Sequence, residues 1–188
     1  MKTYKLSVNG LERNLKFIDI NEDLAFASFV ILGDTELVAN VAKAIADKIG
    51  DVDYLITAEA KGIPLVYEIS KLLGHKYFIV ARKSVKTYME DVVGVKVKSI
   101  TTSTEQKLYL DGKDAELIKG KKVAIIDDVV STGESLHALE ELAKSAGAII
   151  EQKACILAEG DAAERDDIIF LQKLPLFKKV AEGEYEEI

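Results

Sequence analysis

Two adjacent carboxylates followed by small, hydroxyl-bearing residues stand within Val123–Ser135, VAIIDDVVSTGES. An apolar run leads into Asp127-Asp128, a Ser131-Thr132-Gly133 turn follows, and a helical pattern begins at Glu134. A turn joining the C-terminal end of a strand to a helix gathers backbone N–H groups, and the helix dipole adds to their pull on an anion. Gly133 lets a ligand approach the backbone closely, and Ser131, Thr132 and Ser135 can each donate a hydroxyl hydrogen bond. The stretch 126–135, with Val129, Val130 and Glu134 in its path, reads as a phosphate loop. Ionised carboxylates repel phosphate, so Asp127 and Asp128 need another partner, either sugar hydroxyls or a metal ion. A ribose 5-phosphate meets both demands: phosphate in the turn, 2′- and 3′-hydroxyls on the aspartates. A Walker-type loop would place a lysine before the Ser/Thr, and a dinucleotide loop would show three spaced glycines; neither pattern is present. The plain alternative, a helix-capping turn with a surface aspartate, explains neither the acidic pair nor the Ser-Thr-Gly turn.

These residues need a scaffold, and the chain supplies alternating strand and helix patterns. Residues 1–20 read as a hairpin turning at Asn9-Gly10. From Asp34-Thr35-Glu36 a helical face runs through Leu37, Val38, Val41, Ala42, Ile45 and Ile49 to a stop at Gly50. Then come a strand over Tyr54–Ala58, a helix over Ile63–Leu73 stopping at Gly74, and a strand over Tyr77–Ala81. Residues 84–104 have no clean period, and 107–110 read as strand. Lys121–Ile126 is a near-continuous apolar run, as expected of a central parallel strand covered on both faces. A helix over 134–146, a strand over 149–157 and a tail with a strand-like run at Ile168–Leu171 complete the order. This β-α-β-α succession predicts an α/β fold with a mostly parallel sheet flanked by helices.

Composition bounds the rest. The 188 residues are 48% apolar, enough for a sizeable core in one domain. The lone Cys155 excludes an internal disulfide framework, which fits a reducing, cytoplasmic compartment. The opening Met1-Lys2-Thr3-Tyr4-Lys5 has no apolar run after its charges and does not read as a signal peptide. A net charge of −7 argues against broad binding to nucleic acid or to an anionic membrane.

The apolar strand plus Asp-Asp-x-x-Ser-Thr-Gly-x-Ser at 127–135 resembles the phosphoribosyl-pyrophosphate signature of the type I phosphoribosyltransferases. The likeness extends over roughly residues 25–175, toward the adenine/xanthine group. It implies a single domain over 1–188, with hood elements near 1–35 and 158–180 and a flexible lid near 84–105. The implied reaction transfers the 5-phosphoribosyl group from phosphoribosyl pyrophosphate to a purine base, with Mg²⁺, in purine salvage. Family members are commonly homodimers.

The resemblance also implies roles for particular residues. Thr57-Ala58-Glu59-Ala60-Lys61-Gly62 looks like the pyrophosphate loop, joined by Arg82, Lys83 and Lys86. Lys86, Tyr88 and the Ser99–Glu105 segment are similar to the catalytic loop, with Glu105 placed to act on the base or the sugar cation beside Asp127 and Asp128. Phe26 and Phe29 resemble hood aromatics that stack on the base, although as ordinary core residues they would look the same. After the last core strand the family's 6-oxopurine enzymes tend to carry a lysine, whereas this chain has Glu159-Gly160. That departure favours adenine over xanthine or hypoxanthine. A non-catalytic sensor of phosphoribosyl pyrophosphate is the competing reading; the first fifty residues lack the winged helix such a regulator would need to bind DNA. Cys155 reads as an inert buried thiol, His75 and His137 as turn and helix residues, and Glu182–Ile188 as a solvated, frayed tail.

Overall fold

The computed structural model describes residues 3–98 and 105–188, the side chains of Lys98 and Glu105 lying outside the description. Five parallel strands form the central sheet: β4 (Tyr54–Ala58), β5 (Ile79–Ala81), β8 (Lys122–Val130), β9 (Ile149–Glu159) and β10 (Ile169–Leu174). Their spatial order is β10-β9-β8-β4-β5. Strand alternation divides the core in two: Ala124, Ile126, Ala154 and Ile156 face one apolar cluster, while Val123, Ile125 and Cys155 face the other. This two-sided burial is why residues 123–126 read as an unbroken apolar run.

Helices α1 (Thr35–Ala46) and α2 (Ile63–Leu73) cover the first face, and α4 (Glu134–Ser145) covers the second. A shorter helix, α3 (Gly112–Ile118), precedes β8. Asp34 caps α1 by accepting from the Leu37 amide at 3.1 Å. Its carboxylate is tied in turn to Arg13 Nε at 2.6 Å. The helix ends at Ala46, short of Gly50; Ile49 is still buried, but from the turn that follows.

The two chain ends build a second, antiparallel sheet, in the order β1 (Thr3–Val8), β2 (Leu11–Asp19), β3 (Leu24–Ser28), β11 (Leu176–Ala181) and β12 (Glu184–Glu187). Asn9 and Gly10 both take positive φ, as the β1–β2 turn requires. The acidic end is not frayed. β12 pairs with β11, and Tyr185 stacks on Phe17 with ring centroids 4.1 Å apart. Its charged residues occupy the solvated positions of an edge strand, so one aromatic anchor suffices.

Two further expectations are corrected. The stretch 84–105 holds an antiparallel strand, β6 (Val93–Lys98), whose partner β7 spans Glu105–Leu110. The expected strand over 77–81 is regular only from Ile79, because Tyr77 and its neighbours lie on an exposed approach.

Candidate functional site

Register aligns the C-terminal ends of the parallel strands. Ala58 of β4 is level with Ala81 of β5, and Val130 of β8 with Ala158 of β9. The segments that follow, 59–62, 82–83, 131–135 and 159–160, therefore emerge along one sheet edge, where open α/β sheets bind ligands. The phosphate loop is shorter than the sequence suggests. β8 continues through Asp127, Asp128, Val129 and Val130, leaving Ser131, Thr132 and Gly133 as the turn. Gly133 is the N-cap of α4 at φ 79°, a left-handed conformation that costs a side-chain-bearing residue. A small cavity of about 110 Å³ sits over this turn, lined by Asp127 and residues 129–136.

A neighbouring cavity of about 160 Å³ joins the other loop to the aspartates, lined by Glu59, Lys61, Lys83, Gln106, Asp127 and Ser135 among others. The Glu59–Ala60 peptide at its rim is cis. Gly62 packs so closely on Thr57 that a Cβ there would collide with the Thr57 hydroxyl. Asp128 is 1% exposed and lies 2.8 Å from Lys61 Nζ, in an ion pair not aligned as a hydrogen bond. Asp127 accepts the Asp128 amide at 2.9 Å. Burial, and then the charge of Asp128, push the Asp127 carboxyl from 3.8 up to about 7. Burial beside a second carboxylate thus favours the protonated form of Asp127.

Arg82, beside the 59–62 loop, is already paired with a carboxylate. Arg82 Nε lies 2.5 Å from Glu59 Oε2, and its Nη1 donates to the Tyr88 hydroxyl at 3.0 Å. Glu59 also accepts the Lys83 amide at 3.1 Å, with Lys86 Nζ 4.0 Å away. Burial alone would raise the Glu59 carboxyl, yet the Lys83 amide and the cations Arg82 and Lys86 hold it below its usual range. The Arg82 backbone is clamped in both directions to Tyr109 of β7, so the hairpin is fastened to the site's floor.

Glu159 ends β9 half-buried; desolvation raises its carboxyl, against a hydrogen bond from Ser131 and the charge of Lys61. Gly160 packs on Leu176, which pairs in register with Phe26. Of these, Glu159 meets the turn itself, through Ser131. Phe29 does not join them. It is 6% exposed and packed in the core, because β3 ends at Ser28 and the chain turns inward. The backbone of Glu105 opens β7, its side chain lying outside the described residues, as do residues 99–104 entirely.

Gln106 and Leu108, which line the larger cavity, were not among the expected contacts, whereas Tyr88, expected in the catalytic loop, holds Arg82. The apolar alternation of Leu108 and Leu110 was the available signal for an inward-facing strand. Among the described residues no group of three or more His, Cys, Asp or Glu could hold a metal ion, and no helix is long and apolar enough to cross a membrane. Cys155 is buried, and burial first of all pushes its thiol up to about 12.

The phosphoribosyl transferase domain family model matches residues 31–184. A hypoxanthine/guanine phosphoribosyltransferase of Methanocaldococcus sp. (strain FS406-22) is 39% identical over 135 residues, covering 70% of this chain and 64% of that one. The protein of the same name from Methanocaldococcus jannaschii is 37% identical, with 68% and 67% covered. The match to the first of these relatives thus spans less than two thirds of its length. Among solved structures, the adenine phosphoribosyltransferase of Thermoanaerobacter pseudethanolicus superposes with a TM-score of 0.68 at 21% identity, over 85% of this chain and 95% of that one. The Giardia lamblia APRTase complexed with 9-deazaadenine gives 0.69 at 19% identity, over 85% and 93%. At such identities the structural likeness establishes the fold.

Proposed function

The chain belongs to the type I phosphoribosyltransferase family, and from that premise we propose that it transfers a 5-phosphoribosyl group from phosphoribosyl pyrophosphate to a purine base. In this reading the C1–oxygen bond to pyrophosphate breaks, a C1–nitrogen bond to the base forms, and the base nitrogen gives up its proton. The observation that carries the reading is the placing of two anion-suited loops on one sheet edge, with the Asp127–Asp128 pair between them. The 5′-phosphate takes the turn at 131–135, and the sugar hydroxyls donate to Asp127 and Asp128. The departing pyrophosphate lies against 59–62, Arg82, Lys83 and Lys86. For it to bind, Lys61 and Arg82 must turn from Asp128 and Glu59 toward the ligand. The carboxylates therefore hold the cations in place until substrate replaces them.

Mg²⁺ suits this donor set. Asp127 and Asp128 would offer the oxygen ligands it prefers, yet they are too few for a protein-only cage, so the substrate's phosphates would supply the remaining ligands. Its contribution is to neutralise charge gathering on the leaving group. The β6–β7 hairpin, carrying Gln106 and Leu108, forms the wall that keeps water from the sugar, with Glu105 at its edge.

For the base we favour a 6-oxopurine. The curated relatives at 37–39% identity are named for hypoxanthine and guanine. Glu159 offers an acceptor beside Ser131, suited to the N1–H that a 6-oxopurine has and adenine lacks. Adenine is the second reading, favoured by the absence of a lysine at 159–160. A panel assay with phosphoribosyl pyrophosphate, Mg²⁺ and hypoxanthine, guanine, xanthine or adenine tests both, scoring nucleotide and pyrophosphate. Turnover of hypoxanthine or guanine supports the first reading and turnover of adenine alone the second. Tight binding of phosphoribosyl pyrophosphate without any turnover would leave a sensor.

A further inference from the structure

The phosphate turn has an unusual charge balance. Residues 127–135 contain Asp127, Asp128 and Glu134 but no lysine or arginine. Lys61, the cation facing Asp128, is paired with it at 2.8 Å. A phosphate dianion entering the turn would meet backbone N–H groups and hydroxyls amid carboxylates, with no cation from the loop itself.

One cation reaches the turn from elsewhere. Arg165 follows the short 3₁₀ helix Gly160–Glu164, and its Nη1 lies 2.5 Å from the position a Gly133 Cβ would occupy. The guanidinium thus rests on the backbone of the glycine that caps α4. Its other edge is fixed: Nε and Nη2 donate to the two oxygens of Asp167, each at 2.8 Å. Asp167 is held by Lys153 Nζ at 2.5 Å, and Lys153 by Glu140 of α4 at 2.6 Å. The chain Glu140–Lys153–Asp167–Arg165 runs from the helix across β9 and back to the helix's own N-terminus. It leaves Nη1, which makes no hydrogen bond among the described residues, at the turn. A bidentate carboxylate is the arrangement that orients a guanidinium most firmly, since the planar fork matches both oxygens.

We propose that Arg165, oriented by Asp167, is a further binding residue for the 5′-phosphate of the sugar substrate, supplying the cation that the 127–135 loop lacks. The proposal rests on the phosphoribosyltransferase reading of that loop. It also accounts for Gly133 in two ways. The left-handed φ and the space occupied by Nη1 both disfavour a side chain there, which keeps the guanidinium against the bare backbone of the turn.

The test compares two probes, ribose 5-phosphate and inorganic pyrophosphate, titrated calorimetrically with Mg²⁺ into the wild type, Arg165→Gln, Arg165→Lys and Asp167→Asn. Arg165→Gln is expected to weaken ribose 5-phosphate about tenfold or more, the scale of one charge-assisted hydrogen bond, and to leave pyrophosphate unchanged. Arg165→Lys keeps the charge and much of the packing and should recover part of the loss. Asp167→Asn, which unfastens the fork, should fall between the wild type and Arg165→Gln. A merely structural tether would instead lower thermal stability while ribose 5-phosphate affinity stayed at the wild-type value, or would weaken both probes alike; either result overturns the proposal. If the folded wild type bound neither ribose 5-phosphate nor phosphoribosyl pyrophosphate, the reading of the loop itself would fall, a result distinct from a silent Arg165.

Discussion

The two anion-suited loops of this molecule solve the same electrostatic problem in opposite ways. The loops after β4 and β5 are rich in charge: Lys61, Arg82, Lys83 and Lys86 gather there, and Glu59 and Asp128 neutralise part of that charge. The loop after β8 carries no cation and relies on backbone N–H groups, hydroxyls and a glycine cap. The difference matches the two anions proposed for them. Pyrophosphate must be bound and then released carrying more charge than it brought, which suits movable side chains. A 5′-phosphate takes no part in bond making and needs only a fixed seat.

The largest expected effect comes from removing the group the loops share. Asp128→Asn frees Lys61 and replaces one acceptor oxygen and the charge with an amide donor, and nucleotide formation should fall about a hundredfold or more, measured as kcat/KM for phosphoribosyl pyrophosphate. Next come the two glycines, which should separate the loops by stability. Gly62→Ala drives a Cβ into Thr57, with Ile126 O also 3.5 Å away, and should cost about 1–3 kcal/mol in denaturant unfolding. Gly133→Ala meets the Arg165 guanidinium instead of backbone; its left-handed φ should cost about 1–2 kcal/mol, with ribose 5-phosphate affinity falling as well.

A pH effect sharpens the contrast further. The Asp127 carboxyl is raised on folding, so the folded chain holds that proton more tightly than the unfolded chain. Its contribution to stability is complete below the unfolded value of 3.8 and is lost as pH rises toward about 7. Asp127→Asn should therefore raise the melting temperature relative to wild type at pH 8 and not at pH 4, by scanning fluorimetry without ligand. An equal shift at both values would contradict this assignment. Smallest of all, Lys86→Met, at the far margin of the charged loop, should weaken pyrophosphate only severalfold in the same titration.

The sequence made the charge-poor loop far more legible than the charge-rich one. Asp-Asp, Ser-Thr-Gly and the helix after them are contiguous, so their chemistry is visible in a short stretch, although β8 extends four residues further than its apolar run because Asp127 and Asp128 still pair as strand. The charged loop is assembled from three segments, and nothing in their spacing reveals that Glu59 grips Arg82 or that Lys61 reaches Asp128. Arg165 was invisible as a neighbour of Gly133 because the two are 32 positions apart and meet only when β9 lies beside β8. The parallel sheet was readable from two-sided burial. The last strand was hidden, since Glu184–Glu187 carries one aromatic among glutamates and its partner strand is set by the fold.

The most direct test of the division between the loops is a two-by-two titration of Lys83→Ala and Thr132→Val with pyrophosphate and with ribose 5-phosphate. Each substitution is at an exposed position, and the folded state can be checked by circular dichroism. The predicted result is a crossed pattern: Lys83→Ala weakens pyrophosphate alone, and Thr132→Val weakens ribose 5-phosphate alone. If both variants weakened both ligands to the same extent, or if the two ligands competed for one seat in the wild type, the assignment of separate anions to the two loops would be wrong.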